Sequence, residues 1–238
     1  MGVKMDMDKY KYSVKANKIA QTRLMAFILT FCGGFIDAYT YMLRGHTLSA
    51  GQTGNIIFFA TSLANGNLTG MINRGLTIIG FILGLILVTL LKRYAKNAYW
   101  RIFEMIPLIV VSIVLGFLPT SIPNYFIVPI TAFGMAMQSG AFRKIEGLGY
   151  SNVFTSGNLR KTVLSWSSFY INGDESEKQP AQNYTLLVVA FTTGAVISAL
   201  LQKMFQVRAI WIASCILVIV NLVYGLMIFR SVNDNGQN

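Results

Sequence analysis

Polar and apolar positions in this chain fall into long blocks, without the alternation of a half-buried strand or the 3.6-residue stripe of a soluble amphipathic helix. Six apolar blocks, at about 24–43, 74–92, 102–119, 124–142, 184–202 and 209–229, are long enough to cross a bilayer core as helices, which takes roughly twenty residues. Two other blocks are more polar, the first of them also shorter: AGQTGNIIFFATSLAN at 50–65 and VFTSGNLRKTVLSWSSFYI at 153–171. Gly, Asn and Thr punctuate both, and Arg160 and Lys161 stand inside the second. These read as short re-entrant or broken helices. Non-helical backbone at membrane depth is tolerated only where protein or a water-filled cavity surrounds it.

The order of blocks repeats. Phe31 to Gly45 lines up with Phe133 to Gly147 at a constant offset, Thr53-Gly54-Asn55 matches Ser156-Gly157-Asn158, and Gly80 to Leu91 matches Ala190 to Leu201. The polar stretch NGDESEKQPAQN absorbs the extra length of the second half as a loop. The expected architecture is an all-α integral membrane protein with about six transmembrane helices and two inverted repeats. A basic tail at 1–23 precedes a single membrane domain at 24–230, with repeats at about 24–119 and 124–230, and a polar tail at 231–238 follows.

Composition supports the membrane class: 54% of residues are hydrophobic, 12% are charged, and the mean hydropathy is +0.53. The net charge of +11 would suit nucleic acid if it formed one patch, but the basic residues lie between apolar blocks, so no nucleic-acid partner is expected. In a membrane protein that pattern carries orientation. With three crossings per half and a cytoplasmic N-terminus, only Arg44, Arg74, Lys203 and Arg208 of the 20 basic residues fall outside. If all eight blocks crossed, the loop KRYAKNAYWR would face outward and the bias would vanish. Seven spans with an external C-terminus keep nearly the same bias but bury Arg160 and Lys161, so they rank second. The expected location is the cell membrane. The first 23 residues lack a cleavage site after a short apolar run, so the first helix is expected to be retained. Asp6 stands where a myristoylation motif beginning at Gly2 wants Ser or Thr. Cys32 and Cys215 lie in apolar blocks and imply no disulfide framework.

The candidate chemistry begins with Asp37, two-thirds along the first apolar block. A carboxylate central in a spanning helix costs about 2.5–3.5 kcal/mol on insertion scales, and an intramembrane ionisable residue is a functional candidate by default. The competing reading lets Asp37 snorkel to Arg44 or His46. The glycine-flanked turns at Thr53-Gly54-Asn55 and Ser156-Gly157-Asn158 open helices whose unpaired N–H groups and dipole suit an anionic group. Thr53 or Asn55 could instead cap its own helix. Arg160 and Lys161 add positive charge to the second turn. Gln138 and Ser139 stand where the first half has Asp37, polar but uncharged. Glu104 is expected to pair with Arg101 or Lys92 at the surface. Gly80 with Gly84, and Gly194 with Ser198, have the four-residue spacing of close helix packing.

The stretch GGFIDAYTYMLRGHTLSAGQTGNIIFFATSLANG, with the later SGN and the small-residue helix from Gly80, resembles the signature of the YoaK-like family of bacterial integral membrane proteins, a family of unknown function. The resemblance covers nearly the whole chain after the polar N-terminus. It implies a small multi-spanning membrane protein and, at most, a transporter of a small molecule, and it supplies no substrate.

The sequence reading is a secondary transporter or permease for a small polar or anionic solute. Asp37 would bind a coupling proton or cation, Arg160 and the N–H groups of the two turns would hold the solute, and no cofactor is implied. The lipid bilayer is the expected partner, and homo-oligomerisation is left open. The rivals are a non-transporting membrane scaffold or sensor, a passive channel, and an intramembrane enzyme. An enzyme would need a paired nucleophile, carboxylates or metal ligands, and the chain offers one histidine and no second aspartate inside a span.

Overall fold

Each of the six apolar blocks supplies a helix in the computed structural model, which describes residues 16–94 and 99–233, although the helix of the third block stops at Leu115, four residues before that block ends. The tail at 1–15 with Gly2 and Asp6, residues 95–98 of the basic loop, and the end at 234–238 lie outside the described residues. The main helices are α1 (Arg23–Leu43), α2 (Gln52–Ala64), α3 (Leu68–Tyr94), α4 (Trp100–Leu115), α5 (Asn124–Ala141), α6 (Thr155–Asn172), α7 (Lys178–Phe205) and α8 (Ile210–Asn233). Among the described residues three stretches are both long and apolar enough to cross a membrane: Arg23–Leu43, Leu68–Tyr94, and Glu175–Arg230, the last running through α7 and α8. α2, with 13 residues, is about 20 Å long, well short of the roughly 30 Å hydrocarbon core.

Local chemistry sets the boundaries. Thr22 caps α1 by accepting the Met25 N–H at 3.4 Å. Gly66, with φ of 66°, turns the chain between α2 and α3, and Asn67 caps α3 by accepting the Gly70 N–H at 2.9 Å. The stretch NGDESEKQPAQN, expected to be a loop, instead runs from the left-handed Gly173 into the start of α7. Pro180 does not prevent this, because it sits in the first helical turn, where a missing N–H costs nothing. The all-α expectation also misses a minimal β-hairpin, β1 (Lys144–Ile145) with β2 (Leu148–Gly149), between α5 and α6. Its two turn residues, Glu146 and Gly147, both have positive φ, as the tightest hairpin turns require.

Two close helix pairs form the frame: α1 on α7, and α3 on α5. Glycine makes both possible. A Cβ at Gly34 would strike the Phe191 carbonyl of α7, and one at Gly194 would strike the Phe31 carbonyl of α1. In the other pair, Gly80 lies against the Pro129 carbonyl and Gly84 against that of Phe133. Backbones approach closely where small residues face each other. Around this frame α2 packs on α3, α6 on α7, α4 on α5, and α8 on α1, while α4 and α8 meet each other.

The buried interior holds much polar chemistry: Thr30, Thr40, Thr77, Ser112, Thr131, Ser198 and Gln202 are all buried. The outer faces are apolar, with Ile79, Ile82, Leu83 and Ile86 exposed on α3 and Leu222, Val223 and Leu226 on α8. Such a surface suits lipid rather than water. Glu104 departs from its expected surface pairing. It is fully buried, and neither carboxylate oxygen has a hydrogen-bond partner among the described residues.

Candidate functional site

α1 ends at Leu43, and Gly45 (φ 74°) and His46 (φ 51°) reverse the chain. The returning segment is then fastened to the helix it has just left. Asp37 Oδ1 accepts Ser49 Oγ at 2.9 Å and the Ala50 N–H at 2.7 Å, while Thr40 Oγ1 accepts the Ser49 N–H at 3.2 Å. These bonds offset the cost of a carboxylate inside an apolar helix, since hydrogen bonds to a charged acceptor contribute about 1.5–3 kcal/mol each. Asp37 therefore does not snorkel to Arg44. The Arg44 side chain is fully buried and donates to the carbonyls of Pro119 (2.8 Å), Leu118 (2.7 Å) and Leu115 (3.4 Å), satisfying oxygens that the end of α4 leaves unpaired.

Asn55 and Asn158 act alike in the two halves. Asn55 takes the Leu48 N–H at 3.2 Å and donates to the Leu48 carbonyl at 2.6 Å. Asn158 takes the Ser151 N–H at 3.3 Å and donates to the Ser151 carbonyl at 2.6 Å. Each asparagine pins the segment leading into its own helix, so neither is a free ligand and Asn55 is not an ordinary N-cap. Gly51 and Phe154, the residues before α2 and α6, cap with no side chain, so the first N–H groups of both helices receive no side-chain cap there.

Both helix starts reach one cavity of about 340 Å³. Asp37, Thr53 and Gly54 from the first half line it together with Thr155 and Ser156 from the second, closed by Gly34, Tyr41, Phe154 and Phe191. The Thr155 hydroxyl is buried with no partner among the described residues. Of the ten residues singled out from the sequence, Asp37, Thr53, Gly54 and Ser156 line this cavity. Asn55 and Asn158 support it from behind, and Gly157 follows Ser156 in the first turn of α6. Ser139 lines a different cavity, and Gln138 is buried in α5 with both amide atoms unpaired among the described residues. Arg160 is exposed on α6 and lines neither cavity, so the structure does not bring it to the turns. Lys161 turns away to donate to the Gly149 carbonyl at 2.6 Å.

Sequence reasoning missed Thr155, Phe154 and Phe191. Thr155 adjoins a motif already noticed and could have been found there. The two aromatics look like any other apolar residue until the helices are packed.

Residues 25–223 match the family described as Protein of unknown function (DUF1275). A curated relative, the UPF0700 transmembrane protein YoaK of Bacillus subtilis (strain 168), is 23% identical over 218 residues, covering 88% of this chain and 94% of the relative. No solved structure matches the chain.

Proposed function

We propose that this chain, which belongs to the DUF1275 family, is a secondary transporter or permease for a small polar or anionic solute, with its site in the cavity beside Asp37. The observation that carries the reading is the meeting of Asp37, the start of α2 and the start of α6 around one cavity inside an apolar helix assembly. Helix starts favour negative charge, and Asp37 offers a place for a proton or cation, so the cavity has opposite partners for a solute and its coupling ion. The packing pattern supports two inverted repeats. Exchanging α1–α4 with α5–α8 carries the α1–α7 pair onto α5–α3, and the Gly194 contact with the Phe31 carbonyl has its partner in Gly84 against that of Phe133. Transport would then be rocking of one pair of helices against the other. In this reading six helices cross the cell membrane, the short α2 and the polar α6 enter and return, and the N-terminus is cytoplasmic.

The scaffold reading draws on the same aspartate, because its bonds to Ser49 and Ala50 would also serve a purely structural turn. A stability screen of the purified protein against metabolites separates the two. A ligand that binds only the folded state raises apparent stability by RT ln(1 + [L]/Kd), about 2.7 kcal/mol at a hundredfold excess over Kd. A compound that stabilises the protein and is taken up by proteoliposomes supports transport, and a screen in which no compound does either removes it.

Topology is tested separately. In a background with Cys32 and Cys215 replaced by Ala, cysteines at Arg93 and Ser121 should label from opposite sides of intact cells, with Ser121 reached from outside. A cysteine at Asn233 labelling from inside supports six spans, and from outside seven. Arg93 labelling from outside would overturn the arrangement.

A further inference from the structure

A second cavity, of about 420 Å³, lies between the C-terminal half of α3, the end of α5 and the segment leading into α6. It occupies the place in the second half that the first cavity occupies in the first. Ser139 stands where the repeat has Asp37, Arg143 where it has Tyr41, and Ser151, held by Asn158, where it has Leu48, held by Asn55. Phe154 lines both cavities, its ring 5.7 Å from that of Phe81. The charge, however, is reversed. Lys92 and Arg143 line the second cavity, and no Asp or Glu among the described residues does.

Neither cation pairs with a carboxylate among the described residues. The ion pair recorded among the described residues is Arg23 with Glu146, and it involves neither Lys92 nor Arg143. Ser151 Oγ already accepts the N–H groups of Val153 (3.3 Å) and Phe154 (3.1 Å), which leaves its own proton without an acceptor among the described residues. Tyr150 lines the cavity too, and its hydroxyl is buried without a partner among the described residues. Two cations and a spare hydroxyl donor around a recess that no carboxylate of the described residues lines suit an oxyanion, and a guanidinium can hold a phosphate in a bidentate fork.

We propose that this cavity is a binding site for a phosphate-class oxyanion, whether a free anion or the headgroup of an anionic lipid. The site goes beyond the transport reading and does not depend on it.

The test uses full-length protein in nanodiscs of phosphatidylcholine alone, with inorganic phosphate titrated at constant ionic strength and thermal stability as the readout. Phosphate should raise the midpoint saturably. Arg143→Gln and Lys92→Gln should each weaken the apparent affinity by about tenfold or more, the loss of a charge-assisted contact. Arg143→Lys should retain part of the response. Arg93→Gln, a cation on the same helix end that does not line the cavity, should keep all of it. If the occupant is a lipid headgroup, nanodiscs containing phosphatidylglycerol should raise the wild-type midpoint and blunt the phosphate response, and Arg143→Gln should lose that rise. A phosphate response that survives both Gln variants, or falls as far in Arg93→Gln, overturns the site. So does the absence of any Arg143-dependent response to phosphate or to phosphatidylglycerol. A null result in the metabolite screen bears on the first cavity and leaves this outcome unaffected.

Discussion

Gly34→Leu is expected to leave almost no folded protein in the membrane, and Gly194→Leu to do the same. A Cβ at Gly34 would run into the Phe191 carbonyl, with the carbonyl carbon 2.8 Å away and Cα 3.1 Å away. From the other side of this crossing, a Cβ at Gly194 would run into the Phe31 carbonyl, with its carbon at 2.9 Å and the Phe35 nitrogen at 3.1 Å. The obstacles are backbone, so no rotamer change can relieve them, and α1 and α7 would have to separate along their shared length. Overpacking a well-filled core typically costs about 1–3 kcal/mol where side chains can shift, and a backbone obstacle puts the cost at or above the top of that range. Against a total stability of about 5–15 kcal/mol, that is a large share. Even Gly34→Ala should lower the midpoint by several degrees. Gly157→Ala is the control, because nothing lies within 4 Å of a Cβ there. Monodisperse yield and thermal midpoint in detergent are the measurements, and wild-type values for Gly34→Leu would refute the account of the crossing.

That contrast shows what the sequence could and could not convey. The glycine-flanked turns at Gly54 and Gly157 invite the expectation that bulk is forbidden there. Yet Gly157 faces open space, and the nearest neighbour at Gly54 is the mobile end of Leu48, at 3.1 Å. The truly intolerant pair, Gly33 and Gly34, was visible as a motif but not as a contact. Its partners, the Asn152 and Phe191 carbonyls, come from distant parts of the chain and are backbone atoms common to every residue. The helices were legible because a long apolar run meets its backbone hydrogen bonds within itself only as a helix, although α4, with 16 residues, is shorter than its apolar block. The meeting of the two polar turns was legible in part, since the repeat placed Thr53 and Ser156 in matching positions. Arg160 and Arg44 were misplaced for one shared reason: sequence shows a charge but not the direction of its side chain. Arg44 turned inward to a helix end, and Arg160 turned out. The reversal of charge between the two cavities was half written in the repeat, as Asp37 against Ser139. The other half needed Lys92 and Arg143 brought together from α3 and the end of α5.

Asp37→Asn is expected to keep the protein folded and to remove gradient-driven accumulation of the solute, and a second substitution is needed to read that result. Asp37 has two duties that one variant would confuse. Its Oδ1 receives the Ala50 N–H and Ser49 Oγ, and the carboxylate also lines the cavity. Asparagine keeps an acceptor oxygen for the turn and loses only the charge assistance, a cost of about 1 kcal/mol. Alanine leaves a buried N–H and a hydroxyl unmet, at about 1–3 kcal/mol for each, so Asp37→Ala should lower the thermal midpoint well below that of Asp37→Asn. The transport readout is proteoliposome uptake of whichever metabolite the stability screen identifies, measured with and without an imposed ion or proton gradient. If Asp37 carries the coupling ion, Asp37→Asn should equilibrate the solute without concentrating it, because the binding surfaces of α2 and α6 remain while the charge that responds to the gradient is gone. If the asparagine protein instead concentrates solute as well as the wild type does, Asp37 is the anchor of the Ser49–Ala50 turn and nothing more. The coupling site must then lie on another group.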